Sequence, residues 1–251
     1  RIYFTGGEPF LREDLLPLVK YITERAQLVI QTSGELISEG KAAQISAYGA
    51  ALVLVSGSRE DTARAAWEAA GGIFYASHNW SPYFLAGLKT LAYEISEQLG
   101  WSAPGWMIVP AGNGGLAAGL HQGFRELACA KIVSRLPRLV AVQAERCAPI
   151  WKAWSEGSAS INGDSGGQTA AEGIAVARPV RGDEVLEALR ESNGLVHTVS
   201  EDSIRTALAA MGKRGLYIEP TSATAVAAVS DLISRGTIPA GDQVVVTLTG
   251  S

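Results

Sequence analysis

The residues whose types and spacing most clearly suggest ligand binding form a glycine cluster, VPAGNGGL, which spans Val109 to Leu116. Glycine lets the backbone approach a ligand closely, and the first N–H groups of a helix have no partner within that helix. The helix dipole also favours negative charge at that end, so the pattern predicts an anion site with phosphate as its ligand. The spacing matches neither the dinucleotide fingerprint nor the P-loop. The alternative is a tight strand-to-helix turn that uses glycine only for packing.

Four further polar residues have side chains that can form hydrogen bonds. Thr249 lies in VVVTLTGS and Glu219 in IEPTSA, while Asn79 and Ser81 lie in ASHNWSP. Three of them also have a purely structural explanation, since Thr249 could simply end a strand and Glu219 could cap a helix. Ser81 has the residue type of a helix N-cap, and so does Ser222 or Thr221 after Glu219.

Composition excludes several other kinds of chemistry. The chain has 21 Lys and Arg residues against 25 Asp and Glu residues and no basic run, which argues against nucleic-acid or anionic-membrane partners. Its two cysteines, Cys129 and Cys147, are too few for a four-cysteine metal site and are typical of buried small side chains in a reducing compartment. No metal site is predicted. No long apolar run or leader sequence is evident, so a cytoplasmic protein is expected.

These candidate residues must be positioned by alternating strands and helices. Short runs rich in Val and Ile predict seven strands, at residues 1–5, 28–32, 51–55, 106–110, 139–143, 196–199 and 243–248. Helical patterns fall between them, at residues 12–24, 41–48, 60–70, 83–99, 115–127, 148–155, 183–192, 201–213 and 222–234. The order predicts an α/β protein with three αβα layers around a largely parallel sheet. The polar, glycine-rich segment 156–168 is expected to be a lid or a surface loop.

Seven ordered motifs between residues 42 and 251 carry a resemblance to a known family. They are AQISAYGA, YASHNWSPYFLAGLKTLAYEISEQLG, VPAGNGGLAAG, RLPRLVAVQAERCAP, AEGIAVARPVRG, IEPTSATAVAAV and VVVTLTGS. Together they resemble the threonine synthase branch of the fold-type II pyridoxal-phosphate enzymes, whose fold is similar to the tryptophan synthase β subunit. The resemblance implies pyridoxal 5'-phosphate as cofactor, with the expected domain covering residues 41–251 and truncated at its N-terminal side.

The resemblance also implies roles for individual residues. In this family the glycine loop holds the cofactor phosphate through backbone N–H groups, which here belong to Gly112, Asn113, Gly114, Gly115 and Leu116. The last strand of the family ends in a hydroxyl residue that meets the pyridine nitrogen, and Thr249 stands at that place. Such a hydroxyl is expected to leave the nitrogen unprotonated. Glu219 and Glu172 match positions near the cofactor, and Asn79 and Ser81 match substrate-side positions.

The lysine that forms an imine with the cofactor is not found by this comparison. Such a lysine lies in a Ser-Phe-Lys-Asp context in the family, and none of the six lysines here has that context. Lys89 matches a family position on a helix beyond the cofactor, where a structural or substrate-side role is expected. The catalytic residue is therefore unknown, and a segment that carries it is expected to be missing. Ser33-Gly34-Glu35 is a possible remnant of the loop that cups the cofactor ring.

Residues 1–40 resemble a different family. The GGEP turn formed by Gly6 to Pro9, followed by the LVIQTSGELI segment, is similar to radical S-adenosylmethionine enzymes of the molybdenum-cofactor type. The three-cysteine motif that such enzymes require is absent from the printed sequence, so radical chemistry is not expected. A strand-to-helix turn explains GGEP equally well. The interpretation is a βαβ fragment joined to the second domain at about residue 40.

The resemblance implies a threonine synthase-like lyase that acts on a hydroxy or phospho amino acid. Phe84 stands where threonine synthases tend to carry a basic residue for the substrate phosphate, which favours a smaller or unphosphorylated substrate. Two alternatives remain open at this point. The chain could be a relative of the amino-acid ammonia-lyases, or a non-catalytic fusion or pseudoenzyme that binds a phosphate-bearing ligand. A homodimer is expected from the habit of the family.

Overall fold

The computed structural model describes residues 2–4, 28–32, 39–56, 59–163 and 166–249 of the chain. These residues belong to two compact units, Arg1–Pro82 and Tyr83–Ser251, and each is described by itself. The predicted helix at residues 12–24 lies outside the described residues, as do Gly6, Gly7, Glu8 and Ser33 to Glu35. Within the described ranges, no helix combines the length and apolarity that crossing a membrane requires.

Among its described residues, the first unit contains a three-stranded parallel sheet and two helices. Its elements in chain order are β1 Ile2–Phe4, β2 Leu28–Thr32, α1 Glu39–Ala47, β3 Ala51–Leu54 and α2 Arg59–Ala70. Strand β2 lies between β1 and β3, with Val29 opposite Ala51. The parallel pairing follows from the βαβ pattern, because parallel neighbours need a crossover that a helix provides. The predicted join at about residue 40 therefore lies between two strands of one sheet.

The second unit contains the glycine cluster and most of the helices that the structure describes. Its elements are α3 Pro82–Leu88, which begins at the last residue of the first unit, α4 Thr90–Gln98, β4 Trp106–Pro110, α5 Gly115–Cys129, β5 Arg138–Ala144, α6 Pro149–Ser155, a 3-10 helix Glu172–Ile174, α7 Gly182–Glu191, β6 Leu195–Val199, α8 Glu201–Lys213, α9 Pro220–Ser234 and β7 Val244–Val246. The strands form a parallel sheet in the order β6, β5, β4, β7. The predicted parallel α/β architecture is confirmed.

Side chains of β4 alternate between two apolar cores. Met107 and Val109 pack with α5, α6 and α7 on one face of the sheet, while Trp106 and Ile108 pack with α8 and α9 on the other. All five residues of β4 are buried, as expected for a central parallel strand covered on both faces. The second unit is therefore a three-layer αβα sandwich with β4 at its centre.

The prediction of one continuous helix at residues 83–99 is wrong, because the structure has two helices, α3 and α4, that are separated at Lys89. Thr90 donates a hydrogen bond from its hydroxyl to the Gly87 carbonyl at 2.8 Å, and the Ala92 N–H bonds to the Lys89 carbonyl at 3.0 Å. A threonine hydroxyl that bonds locally to the backbone competes with regular helical bonding. The apolar period continues through the break, which explains why the sequence pattern predicts one helix.

The break lies against a row of glycines on α5. A Cβ atom at Gly119 would lie 2.7 Å from the Cβ of Leu88, and one at Gly123 would lie 2.7 Å from the Cβ of Ala92. Both distances are shorter than carbon atoms tolerate. The glycines, four residues apart, are thus required for α3 and α4 to reach α5.

We predict that Gly123→Ala destabilises the fold by about 1 to 3 kcal/mol, because the new methyl group overlaps Ala92 and the Lys89 carbonyl. Gly212→Ala is the matched control, since it is also a helical glycine but has no atom within 4 Å of its Cβ position. That control should be neutral or stabilising by up to about 1 kcal/mol. Chemical denaturation measures both values. Equal effects of the two substitutions would contradict the packing described here.

Candidate functional site

The carboxyl ends of β4 and β7 meet at one edge of the second sheet. Trp106 lies opposite Val244 and Ile108 opposite Val246, and the Thr247 N–H extends the ladder by donating to the Ile108 carbonyl at 3.0 Å. The helix after β4 covers one face of the sheet, and the helix before β7 covers the other. Ligands of open α/β sheets bind outside the carboxyl ends of strands where such connections diverge. This edge is therefore the candidate site.

The loop after β4 is held in shape by contacts with its own chain. A Cβ atom at Gly112 would lie 2.9 Å from the Gly173 carbonyl oxygen, and one at Gly114 would lie 2.7 Å from a methyl group of Val185. Gly114 also has a φ of +89°, in the left-handed region that favours glycine. Glycine at 112 and 114 is thus required by packing, which supports the turn interpretation for these two residues without removing the anion site.

Asn113 positions a neighbouring segment with its side chain. Its amide oxygen accepts a hydrogen bond from the Val180 N–H at 3.3 Å, and its carbonyl accepts one from the Arg181 N–H at 3.0 Å. Both contacts tie the glycine loop to the turn before α7. The amide oxygen of Asn113 is therefore occupied by the protein, and its expected ligand contact would come from the backbone N–H.

The first turn of α5 has the features of an anion site. Its N-cap is Gly114, no side chain caps the helix, and no acidic residue occupies the first turn. Gly115 has ordinary space around its Cβ position, with its nearest neighbour, a methyl carbon of Leu88, at 3.5 Å. The N–H groups at this end have no partner within the helix, and the helix dipole makes the position electropositive.

The 3-10 helix Glu172–Ile174 lies between the glycine loop and the start of α9. The carbonyl of Gly173 lies against Gly112. A Cβ atom added at Gly173 would lie 2.6 Å from the Thr221 hydroxyl oxygen. Ile174 is buried in the core shared by β4 and α9, whereas Glu172 is exposed. The segment thus links the two helix starts that border the candidate site.

A buried carboxylate anchors the chain just before this 3-10 helix. Glu201, the first residue of α8, accepts a hydrogen bond from the Ala170 N–H at 2.9 Å. Burial acts to raise the pKa of Glu201, but hydrogen bonds from Ala170 and Thr169, together with nearby arginines, hold its pKa below the ordinary value. The carboxylate therefore remains ionised and keeps the preceding loop in place.

Thr249 lies three residues after the last residue of β7, Val246, and belongs to a hydrogen-bond network with α9. Its hydroxyl donates to the Glu219 carboxylate at 2.6 Å. Its backbone N–H donates to the Ser222 hydroxyl oxygen at 2.6 Å, and that hydroxyl donates to the Thr249 carbonyl at 2.5 Å. The structure thus brings Thr249 and Glu219 together at the start of α9.

The cap expected from Ser222 or Thr221 is wrong. Helix α9 begins at Pro220, which makes Glu219 the N-cap residue and places Ser222 inside the first turn. Proline is favoured at the first helical position, because its fixed φ suits a helix and it has no N–H to leave unpaired. Ser222 is fully buried and binds the strand end instead of its own helix.

Asn79 and Ser81 lie in the first unit, in a turn closed by the hydrogen bond from the Ser81 N–H to the Ser77 carbonyl at 2.9 Å. Both are half-buried, and Ser81 directly precedes the first residue of α3. Their substrate-side role stays a prediction.

Lys89 is engaged in a cluster between α4 and α5. Its ammonium group lies 2.7 Å from Glu126, and the Tyr93 hydroxyl donates to the same carboxylate. The hydrogen bond to Glu126 raises the pKa of Lys89, which keeps the amine protonated. A protonated amine is a poor nucleophile, so the geometry favours the structural role for this lysine. Across the described residues, no cluster of His, Cys, Asp and Glu is arranged to hold a metal ion.

The sequence matches the family model described as "Pyridoxal-phosphate dependent enzyme" over residues 28–250, which is most of the chain. This chain belongs to the pyridoxal-phosphate dependent enzyme family. The predicted family and cofactor are thereby confirmed. The resemblance of residues 1–40 to radical S-adenosylmethionine enzymes is not borne out, because the family match already begins at residue 28.

Among curated relatives, threonine synthase from Methanocaldococcus jannaschii is 31% identical over 216 residues, covering 85% of this chain and 53% of that protein. Threonine synthase from Methanosarcina acetivorans is 32% identical with the same coverage. Threonine synthase 2, chloroplastic, from Arabidopsis thaliana is 34% identical over 176 residues, covering 70% of this chain and 34% of that protein. The chain spans about half the length of the first two relatives.

Two solved structures show the same fold. L-serine ammonia-lyase from Rhizomucor miehei matches 99% of this chain and 78% of that chain with a TM-score of 0.73 at 18% identity. Threonine deaminase isoform 2 from Solanum lycopersicum matches 100% of this chain and 66% of that chain, with a TM-score of 0.72 at 19% identity. At these identities the likeness supports the fold class alone.

We predict that Ser222→Ala destabilises the chain by about 1 to 3 kcal/mol, because it leaves the N–H and carbonyl of Thr249 without the buried hydroxyl that satisfies both. Ser234→Ala on the same helix is the matched control. Its hydroxyl is exposed and donates to the Asp231 carbonyl, so its loss should change the free energy of unfolding by less than about 0.5 kcal/mol. Urea denaturation compares them, and equal stability of both variants would refute the role given to Ser222.

Proposed function

We propose that this chain forms the cofactor-binding part of a pyridoxal-phosphate dependent lyase similar to threonine synthase, acting on a hydroxy or phospho amino acid. The observation that carries the proposal is the sheet edge where the uncapped start of α5 and the Thr249 hydroxyl follow two paired strands. An electropositive helix end and a hydroxyl in the segment after the neighbouring strand suit a ligand with a phosphate at one end and a polar ring atom at the other. The names of the curated relatives support the reaction class.

In this proposal the backbone of residues 112–116 holds the cofactor phosphate. The carboxyl end of β4 directs the loop toward the sheet edge, and the dipole of α5 stabilises the negative charge. Thr249 faces the ring of the cofactor. Glu219 stands behind Thr249 and acts through it, while Asn79 and Ser81 bind the substrate. When bound, pyridoxal phosphate supplies the electron sink that stabilises a carbanion on the substrate.

The proton-transferring amine required by such a reaction is not assigned to any lysine of this chain. Lys89 is the lysine for which a family position is matched, and Glu126 holds it as an ammonium ion. We therefore propose reversible cofactor binding by this chain without covalent capture. A pseudoenzyme that binds but does not turn over its ligand is the competing outcome of the same experiments.

We predict that Gly115→Asp weakens binding of pyridoxal phosphate at least about tenfold, because it places a carboxylate where the phosphate would lie. The unliganded variant should keep its thermal stability, since Gly115 has room for a Cβ and an acid in the first turn favours the helix. Gly115→Asn is the matched control with the same shape and no charge. Ligand-induced thermal stabilisation measures binding.

Equal stabilisation of the Gly115→Asp variant and the parent chain by pyridoxal phosphate would overturn the anion site. Similar losses in the Asp and Asn variants would indicate a steric effect and contradict the electrostatic argument.

We also predict that borohydride reduction in the presence of pyridoxal phosphate labels no single lysine stoichiometrically. The chain should release no phosphate from phosphohomoserine and form no keto acid from serine or threonine, because none of the lysines has the family's sequence context for the acid or base. Peptide mapping and product assays provide the measurements. A stoichiometric adduct on Lys89 or Lys41, or turnover abolished by changing one lysine, would show that an active amine is present.

A further inference from the structure

A buried polar side chain interrupts an apolar face near the carboxyl end of β5. The residues of this strand that face α5, α6 and α7 are apolar at Leu139 and Ala141, but the next residue on that face is Gln143. Its exposed fraction is 0%. Burying an amide is costly unless its polar atoms are hydrogen-bonded. The partners of Gln143 therefore indicate why a polar residue stands there.

The amide oxygen of Gln143 serves the start of α6. It accepts hydrogen bonds from the Ile150 N–H at 2.9 Å and from the Trp151 N–H at 3.1 Å. The N-cap residue of that helix is Ala148, which has no polar side chain, so Gln143 acts as a cap from the neighbouring strand. A turned-over amide would set its NH2 group against two N–H donors. The orientation of the amide is therefore fixed.

The amide nitrogen of Gln143 serves the glycine loop. It donates a hydrogen bond to the Ala111 carbonyl at 3.1 Å, while the Ala111 N–H donates to the Val142 carbonyl at 2.8 Å. Both backbone groups of Ala111 are thus tied to β5. Because Ala111 directly precedes Gly112, the contact with Gln143 acts on the first peptide group of the loop.

The geometry of that peptide group determines where the loop points its first donor. The Ala111 carbonyl and the Gly112 N–H belong to one trans peptide group, so they point in opposite directions. Gln143 holds the carbonyl toward β5, and the N–H therefore points away from β5, to the side of β4 on which β7 lies. Within the described ranges, this N–H has no protein acceptor, although Gly112 is buried. Such a buried donor is rare in proteins and requires an acceptor from a ligand or from water.

We infer that Gln143 is a positioning residue that aims the Gly112 N–H at the cofactor phosphate by holding the opposite side of the same peptide group. The inference rests on the proposed function, in which the backbone of residues 112–116 holds that phosphate. Gln143 does not itself touch the ligand. Its amide accepts from α6 and donates to Ala111 at the same time, which neither a carboxylate nor an apolar side chain can do.

Two substitutions at this position share one defect, the loss of the donor to Ala111. Gln143→Glu keeps an oxygen for the N–H groups of α6, and these donors favour the ionised carboxylate above neutral pH. Gln143→Met has a similar length and adds no charge, but it also loses the bonds to α6 and should lower stability. Gln98→Glu is the matched control, because it adds the same charge at an exposed position at the end of α4.

Pyridoxine 5'-phosphate is a suitable probe, because it carries the phosphate but no aldehyde that could react with lysine. Titration calorimetry with the full chain measures its dissociation constant. We expect an increase of about tenfold in both Gln143 variants, since a hydrogen bond to a charged phosphate is lost, and no change in Gln98→Glu. A purely structural role of Gln143 would lower the stability of the variants without weakening binding by the folded chain.

A spectroscopic measurement follows the peptide group directly. Carbon-13 in the alanine carbonyls and nitrogen-15 in glycine select the Ala-Gly peptide groups of the chain, among them Ala111–Gly112. In the parent chain, saturation with the probe should move the Gly112 N–H resonance downfield, because this group then donates to the phosphate. In both Gln143 variants that shift should be largely lost.

The possible outcomes are distinct. Equal dissociation constants and equal Gly112 shifts in the parent and the Gln143 variants would overturn the role of Gln143 and leave the proposed function intact. Binding by the parent without any response of Gly112 would do the same. Weaker binding by Gln143→Glu that keeps the Gly112 shift at saturation would indicate charge repulsion and also overturn the inference, even if Gln143→Met does not fold. Absence of any binding by the parent chain would refute the proposed function and the inference together.

Discussion

Because β4 pairs in parallel with β7, two segments about 135 residues apart in the chain end at the same edge of one sheet. The glycine loop continues from one strand and Thr249 from the other, so neither needs long side chains to reach a common ligand. The helices that cover the two faces of the sheet, α5 and α9, also begin at this edge. The contacts of Thr249 with Glu219 and Ser222 depend on that pairing, because it places the segment after β7 beside the start of α9.

Much of this arrangement could be predicted from the sequence, because the signals are local. The apolar runs predict β4 and β5 to within about a residue, and the glycine cluster predicts the start of α5 at Gly115. Parallel pairing follows from the helices between the strands. The family resemblance, based on ordered motifs, is confirmed by the match over residues 28–250.

Other features depend on contacts between distant residues and leave no local signal. Ser222 looks like a helix cap in the sequence, yet its hydroxyl binds a backbone 27 residues away. The break at Lys89 interrupts an unbroken apolar period, and only its fit against α5 explains it. The 3-10 helix at residues 172–174 is too short for a periodic pattern. The sequence singles out the glycines at positions 112 and 114 for ligand access, whereas the structure shows that packing requires glycine at both positions.

The close packing around the glycine loop has a consequence for the entropy of binding. The Cβ positions of Gly112 and Gly114 are already filled by atoms of Gly173 and Val185, and Asn113 is tied to the turn before α7. A loop held from several sides has few alternative conformations left to lose. Its conformational entropy is therefore lost when the chain folds, and little remains to oppose the arrival of a phosphate. Association at this edge should resemble the docking of two rigid bodies, without an ordering step in the loop.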